Sequence, residues 1–230
     1  MKLNRYEDKY FYYFWKPCGI PSTYGKEKCF LDYLIESDDK DIKAIVESQK
    51  EFFSEQEEYG LVNRLDNDTT GLLYLAKNPL FKEKYKQAQK DWKIEKYYIA
   101  DVYGKFPENE KIISYPITHH KFSSDRMVVI SSAEQTGKID TKRIQKAKTF
   151  VQFLYYDEKE NKSTLLVTIS KWVRHQIRAH LSNIWFPIVW EKIYIKTPSK
   201  EELHLYSIGV KVNLKKTTQR LPFSLFIISN

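Results

Sequence analysis

Glycine and cysteine are scarce in this chain of 230 residues, and long apolar runs are absent. Seven glycines are about 3% of the sequence, against an average near 7%. The two cysteines, Cys18 and Cys29, are too few for a metal cage, and a disulfide between them is not expected in a cytosolic protein. The charged N-terminus does not make a signal peptide, and no apolar run has the length of a membrane span. We therefore expect a soluble, cytoplasmic protein.

Arginine is also scarce, although the chain is basic. Lysine and arginine number 38 against 30 acids, a net charge of +8, yet only seven of these cations are arginine. A basic surface suits a polyanionic partner such as RNA, but this attraction is non-specific. Where lysine is so strongly favoured, an arginine indicates a need for planar, bidentate geometry. Three of the seven, Arg64, Arg174 and Arg178, lie in the motifs described next.

The hydrophobic pattern predicts an α+β fold with a mixed, mainly antiparallel sheet and flanking helices. At 42% hydrophobic residues, the chain can bury a sizeable core, and we expect one domain over residues 1–230. Asn78 followed by Pro79 predicts the start of a helix that packs Leu80, Phe81 and Tyr85 on the sheet. Helical segments are also predicted within 27–59 and from about Arg174, and strands at 9–14, 95–103, 127–131, 148–156, 163–170, 205–213 and 222–228.

One loop carries the most informative pattern of the sequence. Asn63-Arg64-Leu65-Asp66 leads through Asn67-Asp68 into a Thr-Thr-Gly turn and the apolar run Leu72–Ala76. Turn residues of this kind place Asp66 in a loop that enters a buried strand. Loops held on rigid strands are a common location for chemistry. An Arg-Leu-Asp triplet can also serve only as a capping or salt-bridge device, so the segment alone leaves both interpretations open.

Two further segments follow in order. Lys96-Tyr97-Tyr98-Ile99-Ala100-Asp101-Val102-Tyr103-Gly104 alternates as a strand does, which places Tyr98, Ala100 and Val102 on one face. The third segment, Arg174-His175-Gln176-Ile177-Arg178-Ala179-His180-Leu181, opens a helix with Ile177, Leu181 and Ile184 along its buried stripe.

Together these segments resemble the RluA-type pseudouridine synthases. The family patterns are His-Arg-Leu-Asp-x-x-Thr-Ser-Gly-Leu-Leu, then Lys-x-Tyr-x-Ala-x-Val-x-Gly, then His-Gln-Ile-Arg-x-His-Leu. This chain departs from the first at Asn63 and Thr70, neither of which is the arginine or the aspartate. The Lys16-Pro17 turn and the later Pro187-Ile188 also fit, so the resemblance runs from about residue 6 to about residue 196. Because motif-like sequence begins by residue 6, we expect no separate N-terminal S4-type module.

The resemblance implies a role for each candidate site residue. Asp66 would be the ionised carboxylate acting at C1′ of the target uridine, either by adding to the sugar or by stabilising charge. Tyr98 would stack on the base and take the C5 proton, and Arg178 would pair with Asp66 and keep it ionised. The residues assigned to RNA binding are Arg64, which would hold the target base out of the stack, and Lys96, Arg174 and His175.

The resemblance therefore predicts an RNA pseudouridine synthase that acts on ribosomal or transfer RNA as a monomer. No cofactor or metal site is implied, since His175 and His180 lack a third ligand. His119 and His120 are interpreted as loop or RNA-contacting residues. The alternatives are a non-catalytic RNA-binding protein on the same scaffold and an unrelated hydrolase with Asp66 as general base, which would need a second carboxylate or a metal cluster.

Three tryptophans stand where the family has glycine. Trp172 takes the place of the glycine in Thr-Gly-Arg-Thr-His-Gln, and Trp185 and Trp190 take both glycines of Ile-Gly-x-Pro-Ile-x-Gly-Asp. Trp92 stands at a predicted turn where glycine would also be natural, whereas Trp15 fits no such place. One interpretation makes these rings stacking platforms for RNA bases. The sharper hypothesis is that UGA codons read as glycine in the host have been translated as tryptophan at positions 172, 185 and 190.

Overall fold

The structure, a computed structural model, describes residues 3–25, 27–131, 139–196 and 200–212. The strand predicted at 222–228 lies outside these residues. The described residues divide into two compact units, one that holds the chain up to Ile94 and from Ser207 onward, and a second that holds Glu95–Tyr206. The prediction of a single domain over 1–230 stays a prediction.

The first unit combines a layer of strands with three helices. Its elements are β1 (Arg5–Glu7), β2 (Phe11–Lys16), α1 (Phe30–Ile35), α2 (Lys40–Phe52), a 3₁₀ turn (Glu55–Gly60), β3 (Thr70–Ala76), α3 (Pro79–Lys90) and the end of β10 (Leu205–Val212). β1, β2, β3 and β10 lie side by side in that order, and the first two pairings are antiparallel. Every residue of β3 is buried, as the apolar run predicts.

Local sequence explains where the helices of this unit begin. The Asn78 side chain accepts a hydrogen bond from the Phe81 N–H, with Pro79 at the first helical position, which confirms the predicted start of α3. Phe81 packs edge-on against Tyr10, and Tyr85 is buried. Leu80 is 59% exposed, so the prediction that it packs on the sheet is wrong. The first turn of α3 directs this residue to solvent, although its side chain is apolar.

The second unit is built from antiparallel strands and one buried helix. It holds β4 (Ile94–Tyr103, from Glu95), β5 (Glu110–Ile113), β6 (Ile117–His119), β7 (Met127–Val129), a 3₁₀ turn (Thr141–Arg143), β8 (Thr149–Asp157), β9 (Lys162–Ile169), α4 (Gln176–Asn183) and the first residues of β10. β4, β9, β8 and β5 are neighbours in that order, and β6 pairs with β7. Asp157 lies opposite Lys162, so the strands predicted at 148–156 and 163–170 form a β-hairpin.

The α+β class and the mainly antiparallel sheet are therefore confirmed. The sequence did not predict the short strands β5 and β6, because three or four residues carry too little periodicity to be recognised. Ile177 and Leu181 of α4 are buried, and Ile184, which follows its last residue, is half-buried, in line with the predicted stripe. Within the ranges that the structure describes, no helix is both long enough and apolar enough to cross a bilayer.

Candidate functional site

Asp66 lies in a tightly held loop that leads into β3. We call residues 62–69 the Asp66 loop. Its last residues form a turn in which the Thr69 N–H donates to the Asp66 carbonyl at 3.0 Å. Asp66 itself is half-buried, and this turn holds its backbone. This placement confirms the sequence-based expectation of an aspartate in a loop before a buried strand.

A buried lysine anchors this loop to the turn that follows β2. Lys16 is fully buried, and its Nζ donates to the carbonyls of Pro17 at 2.9 Å, Ile20 at 2.8 Å and Asn67 at 3.0 Å. Burial lowers the pKa of Lys16 to about 8, against the opposite influence of nearby Cys18, Asp68 and Asp66. The ammonium therefore provides both hydrogen bonds and positive charge beside the aspartate-bearing turn. The Lys16-Pro17 turn is recognisable in the sequence, but this function of the Lys16 side chain was not predicted from it.

Two polar side chains hold the beginning of the loop. The buried Asn63 donates from Nδ2 to the Leu72 carbonyl at 3.0 Å and accepts from the Tyr74 N–H at 2.8 Å. Ser22 Oγ accepts from the Leu65 N–H and donates to the Leu65 carbonyl, both at 2.9 Å. Asn63 is the residue that departs from the family's histidine, and here it joins the loop to β3.

Gly71 of the Thr-Thr-Gly turn is required by a close approach of two strands. Its φ is +130°, and a Cβ built there would meet the backbone of Ser207 at 2.3 Å. Any larger residue would separate β3 from β10, so the glycine of the motif serves the packing directly behind the Asp66 loop.

Arg64 points away from this packing. It is exposed, and within the described ranges it forms no hydrogen bond or salt bridge. The alternative interpretation of Arg64 as a salt-bridge partner of Asp68 therefore has no support in the structure. An exposed, uncommitted guanidinium beside Asp66 is a suitable group for contact with RNA.

In the second unit, Tyr98 occupies the buried face of β4. It is 4% exposed and lies opposite Val167 of β9, and Ala100 and Val102 share its face as predicted. Lys96 lies on the same strand and is only 7% exposed, so it is not a surface cation in this structure. Its assignment to RNA binding stays a prediction.

Arg178 forms a buried, bidentate ion pair with Glu191. Arg178 Nε donates to Glu191 Oε2 at 2.9 Å and Nη2 donates to Oε1 at 2.6 Å, with side-chain exposures of 1% and 0%. The N–H groups of Lys192 and Ile193 also donate to Glu191 Oε1, each at 2.9 Å. Glu191 thereby orients the Arg178 guanidinium, and its hydrogen bonds to the backbone fix the segment after α4 next to that guanidinium. Glu191 stands where the family pattern has aspartate, but the sequence alone did not identify it as a site residue.

Arg174 and His175 are committed to contacts within the second unit. Arg174 Nη1 donates to the Ser124 carbonyl at 2.7 Å, which joins the start of α4 to the loop after β6. His175 is buried, has a φ of 53°, and its Nδ1 lies 3.1 Å from the Tyr194 hydroxyl. Both residues therefore have structural partners, and their predicted contact with RNA stays a prediction.

A cavity of about 340 Å³ opens beside α4 and the β6–β7 hairpin. The Arg126 guanidinium lies 5.7 Å from the centre of the Tyr194 ring, and His120 and Asn183 add polar groups to the lining. The Ser182 Oγ, also in the lining, is buried and has no hydrogen-bond partner in the part of the chain described. The cavity thus combines an aromatic ring and a cation, the types of group that bind a nucleoside.

The remaining histidine of the third motif is structural. His180 is fully buried, and its ring nitrogens lie 2.8 Å from Thr149 Oγ1 and 2.9 Å from the Tyr115 carbonyl. Burial lowers the pKa of His180, so its ring is neutral near pH 7. Over the described ranges, no cluster of three or more histidine, cysteine or acidic side chains could hold a metal ion.

The chain is similar to known proteins over most of its described length. Residues 10–183 match the family model described as RNA pseudouridylate synthase. Ribosomal large subunit pseudouridine synthase C of Buchnera aphidicola subsp. Acyrthosiphon pisum is 35% identical over 137 residues, which are 59% of this chain and 40% of that protein. The mitochondrial tRNA pseudouridine(32) synthase of Saccharomyces cerevisiae is 34% identical over 134 residues, which are 57% of this chain and 27% of that protein.

Solved structures show the same fold at low sequence identity. Human RNA Pseudouridylate Synthase Domain Containing 1 aligns with a TM-score of 0.67 at 16% identity, covering 96% of this chain and 82% of that one. Human RNA Pseudouridylate Synthase Domain Containing 4 aligns with a TM-score of 0.64 at 19% identity, covering 90% and 82%. The chain spans about half the length, or less, of the curated relatives cited above.

Proposed function

The chain belongs to the RNA pseudouridylate synthase family, and from this premise we propose that it isomerises uridine to pseudouridine in ribosomal or transfer RNA. The geometry of the Asp66 loop carries the proposal. A solely structural aspartate would not need a loop fixed by a fully buried lysine, a serine and an asparagine while its own side chain stays half-buried. Such fixation of a reactive group in advance is a general requirement of catalysis.

In the proposed reaction Asp66 acts at C1′ of the target uridine. The C1′–N1 bond breaks, the ring turns, and a C1′–C5 bond forms. The C5 hydrogen leaves as a proton and N1 gains one, so the reaction is balanced without an oxidant or a reductant. Asp66 must be ionised to act, and a nearby cation favours the ionised form. Arg178 is proposed to pair with it, but the two residues lie in different units, so this pairing stays a prediction.

Tyr98 is proposed to stack on the target base and to take the C5 proton. Its burial in the first strand of the second unit agrees with a residue that acts in an enclosed site rather than at the surface. Arg64 is proposed to hold the base out of the RNA stack, since its guanidinium is exposed and has no partner within the described ranges. Extrusion of a base costs a few kcal/mol, and stacking on an arginine plane offsets part of that cost.

RNA is the proposed partner, with contacts at Arg64 and at the cavity of Arg126 and Tyr194. The cited relatives are named for ribosomal and transfer RNA, which supports both classes as substrates. A non-catalytic RNA-binding protein is the rival function. It is less favoured, because binding alone gives no reason for a fixed carboxylate next to a polyanion. We further propose that the protein acts as a monomer, without a cofactor.

Asp66→Asn tests the catalytic assignment. The variant should lose isomerisation, measured as release of tritium from RNA labelled at C5 of uridine, while its affinity for the same RNA stays within about twofold of the parent. Asp68→Asn is the matched control, since it makes the same chemical change in the same turn. Turnover by Asp66→Asn at the rate of the Asp68→Asn control would refute the catalytic assignment of Asp66, whereas an absence of tritium release by the parent protein that still binds the RNA would favour the RNA-binding rival.

A further inference from the structure

Three of the five tryptophans have a left-handed backbone. The φ angles are 58° at Trp92, 70° at Trp185 and 63° at Trp190. The Cβ of an L-residue clashes in this region, so a large side chain there is a clear outlier, whereas glycine adopts it readily. A single such residue could reflect local strain. Three among five require a common explanation.

Trp92 lies directly after the C-cap of α3, at a position where glycine is usual. Its N–H donates to the Gln89 carbonyl at 3.2 Å, and the Lys93 N–H donates to the Ala88 carbonyl at 2.9 Å. These two bonds define a Schellman motif, in which the left-handed residue after the C-cap is usually glycine. The backbone around Trp92 is therefore an ordinary helix end that carries an unusual residue.

Trp185 occupies the same position after α4, directly following the C-cap. Its N–H donates to the Ser182 carbonyl at 3.2 Å, and the Phe186 N–H donates to the Leu181 carbonyl at 3.0 Å. The same pair of bonds recurs, with tryptophan again at the left-handed position. Two helices in different units thus end in one glycine-type motif with the same substitution.

Trp190 lies at the third position of a four-residue turn. The turn runs from Ile188 to Glu191 and is closed by the Glu191 N–H, which donates to the Ile188 carbonyl at 3.1 Å. A positive φ at the third position is a requirement of the type II turn, and glycine is the usual residue there. The turn also places Glu191 for its ion pair with Arg178.

Two of the three residues are mostly solvent-exposed, which removes the usual reason for a tryptophan, while the Trp190 ring packs edge-on against His204. The exposed fractions are 58% for Trp92, 89% for Trp185 and 38% for Trp190, although tryptophan is highly buried on average. Stacking on RNA bases would explain exposed rings but not the left-handed backbone. Trp15 shows the contrast, because it lies within β2 opposite Leu72 and packs on the apolar cluster of the first unit.

We propose that the protein made in its host has glycine at positions 92, 185 and 190, because the host reads the codon UGA as glycine. The printed sequence would then result from reading UGA as tryptophan. Trp15 is a true tryptophan on this reasoning, encoded by UGG. Trp172 is not among the left-handed residues, so the hypothesis of glycine at 172 rests on the family resemblance alone.

The gene and the native protein provide the decisive test. We expect UGA at codons 92, 185 and 190 and UGG at codon 15, and peptides from the native host should have the masses for glycine at the three positions. UGG at the three codons, or native peptides with the mass for tryptophan there, would overturn the proposal. Neither readout depends on catalytic activity, so the test is independent of the proposed function.

A recombinant comparison tests the backbone argument separately. Replacing Trp92, Trp185 and Trp190 together by glycine should raise the Tm, by about 2 °C or more for each position, because the left-handed conformation no longer opposes a Cβ. Trp15→Gly is the matched control and should lower the Tm by roughly 5 °C or more, since it removes a packed ring. A triple variant whose Tm is unchanged or lower would refute the backbone argument.

Discussion

Replacement of Lys16 by methionine should destabilise the protein and reduce turnover, and the structure allows the size of the effect to be worked out. The ammonium donates three hydrogen bonds to carbonyl oxygens, at 2.8 to 3.0 Å. Hydrogen bonds to a charged group contribute about 1.5–3 kcal/mol each. Against this, burial lowers the pKa of Lys16 to about 8 from 10.5, a cost of about 3 kcal/mol for keeping the group charged. The net loss should be about 1.5–6 kcal/mol.

The pH dependence of this loss has a definite sign. Between pH 8 and 10.5 the unfolded chain holds a proton on Lys16 that the folded protein has released, so the stability of the parent rises with pH in this window. Methionine does not titrate. The difference in unfolding free energy between the parent and Lys16→Met should therefore widen, by up to about 3 kcal/mol, as the pH is raised from 7 to 10.5.

Urea unfolding at pH 7 and at pH 10 measures both effects, and steady-state turnover measures the effect on the site. Lys16→Met should lower kcat more than it raises KM, because the lost bonds hold the backbone next to Asp66. Lys82→Met is the matched control. Lys82 is also buried in the first unit, but its Nζ donates to the Glu57 carbonyl, outside the Asp66 loop. Equal loss of kcat in both variants, or a stability difference that does not change with pH, would refute the reasoning.

Other predictions concern the buried ion pair and the RNA contacts. Glu191→Gln should lower the free energy of unfolding by about 3–5 kcal/mol, because it removes the charge that compensates the buried Arg178, whereas exposed Glu202→Gln should change it by less than about 0.5 kcal/mol. Urea unfolding of the parent and of both variants measures these changes, and an equal loss in the two variants would contradict the role of the ion pair. Arg126→Ala should raise KM for RNA by roughly threefold or more with kcat unchanged, and Arg5→Ala should leave both unchanged; equal KM values would exclude Arg126 as a contact. RNA affinity should fall steeply with salt, at a slope of about 0.7 per phosphate contact on single strands, and a nearly flat dependence would contradict RNA as the partner.

The sequence by itself determined the family, the α+β class and the order of the motifs. It also determined local structure, such as helix starts and strands that follow turns, because the interactions that fix these features act between residues close together in the chain. The N-cap at Asn78 is one example, and the buried strand after the Thr-Thr-Gly turn is another. The alternation along β4 likewise identified the buried face that holds Tyr98.

Only the tertiary structure decided which distant groups meet. Lys16 reaches the Asn67 carbonyl 51 residues away, and Arg178 finds Glu191 beyond the end of its own helix. No local pattern encodes such pairs, since they depend on how strands and loops pack. The same holds for backbone conformation at a single residue. A sequence can place Trp92 and Trp185 after helices, but only the folded chain shows the left-handed φ and the two closing hydrogen bonds that glycine would satisfy without steric conflict.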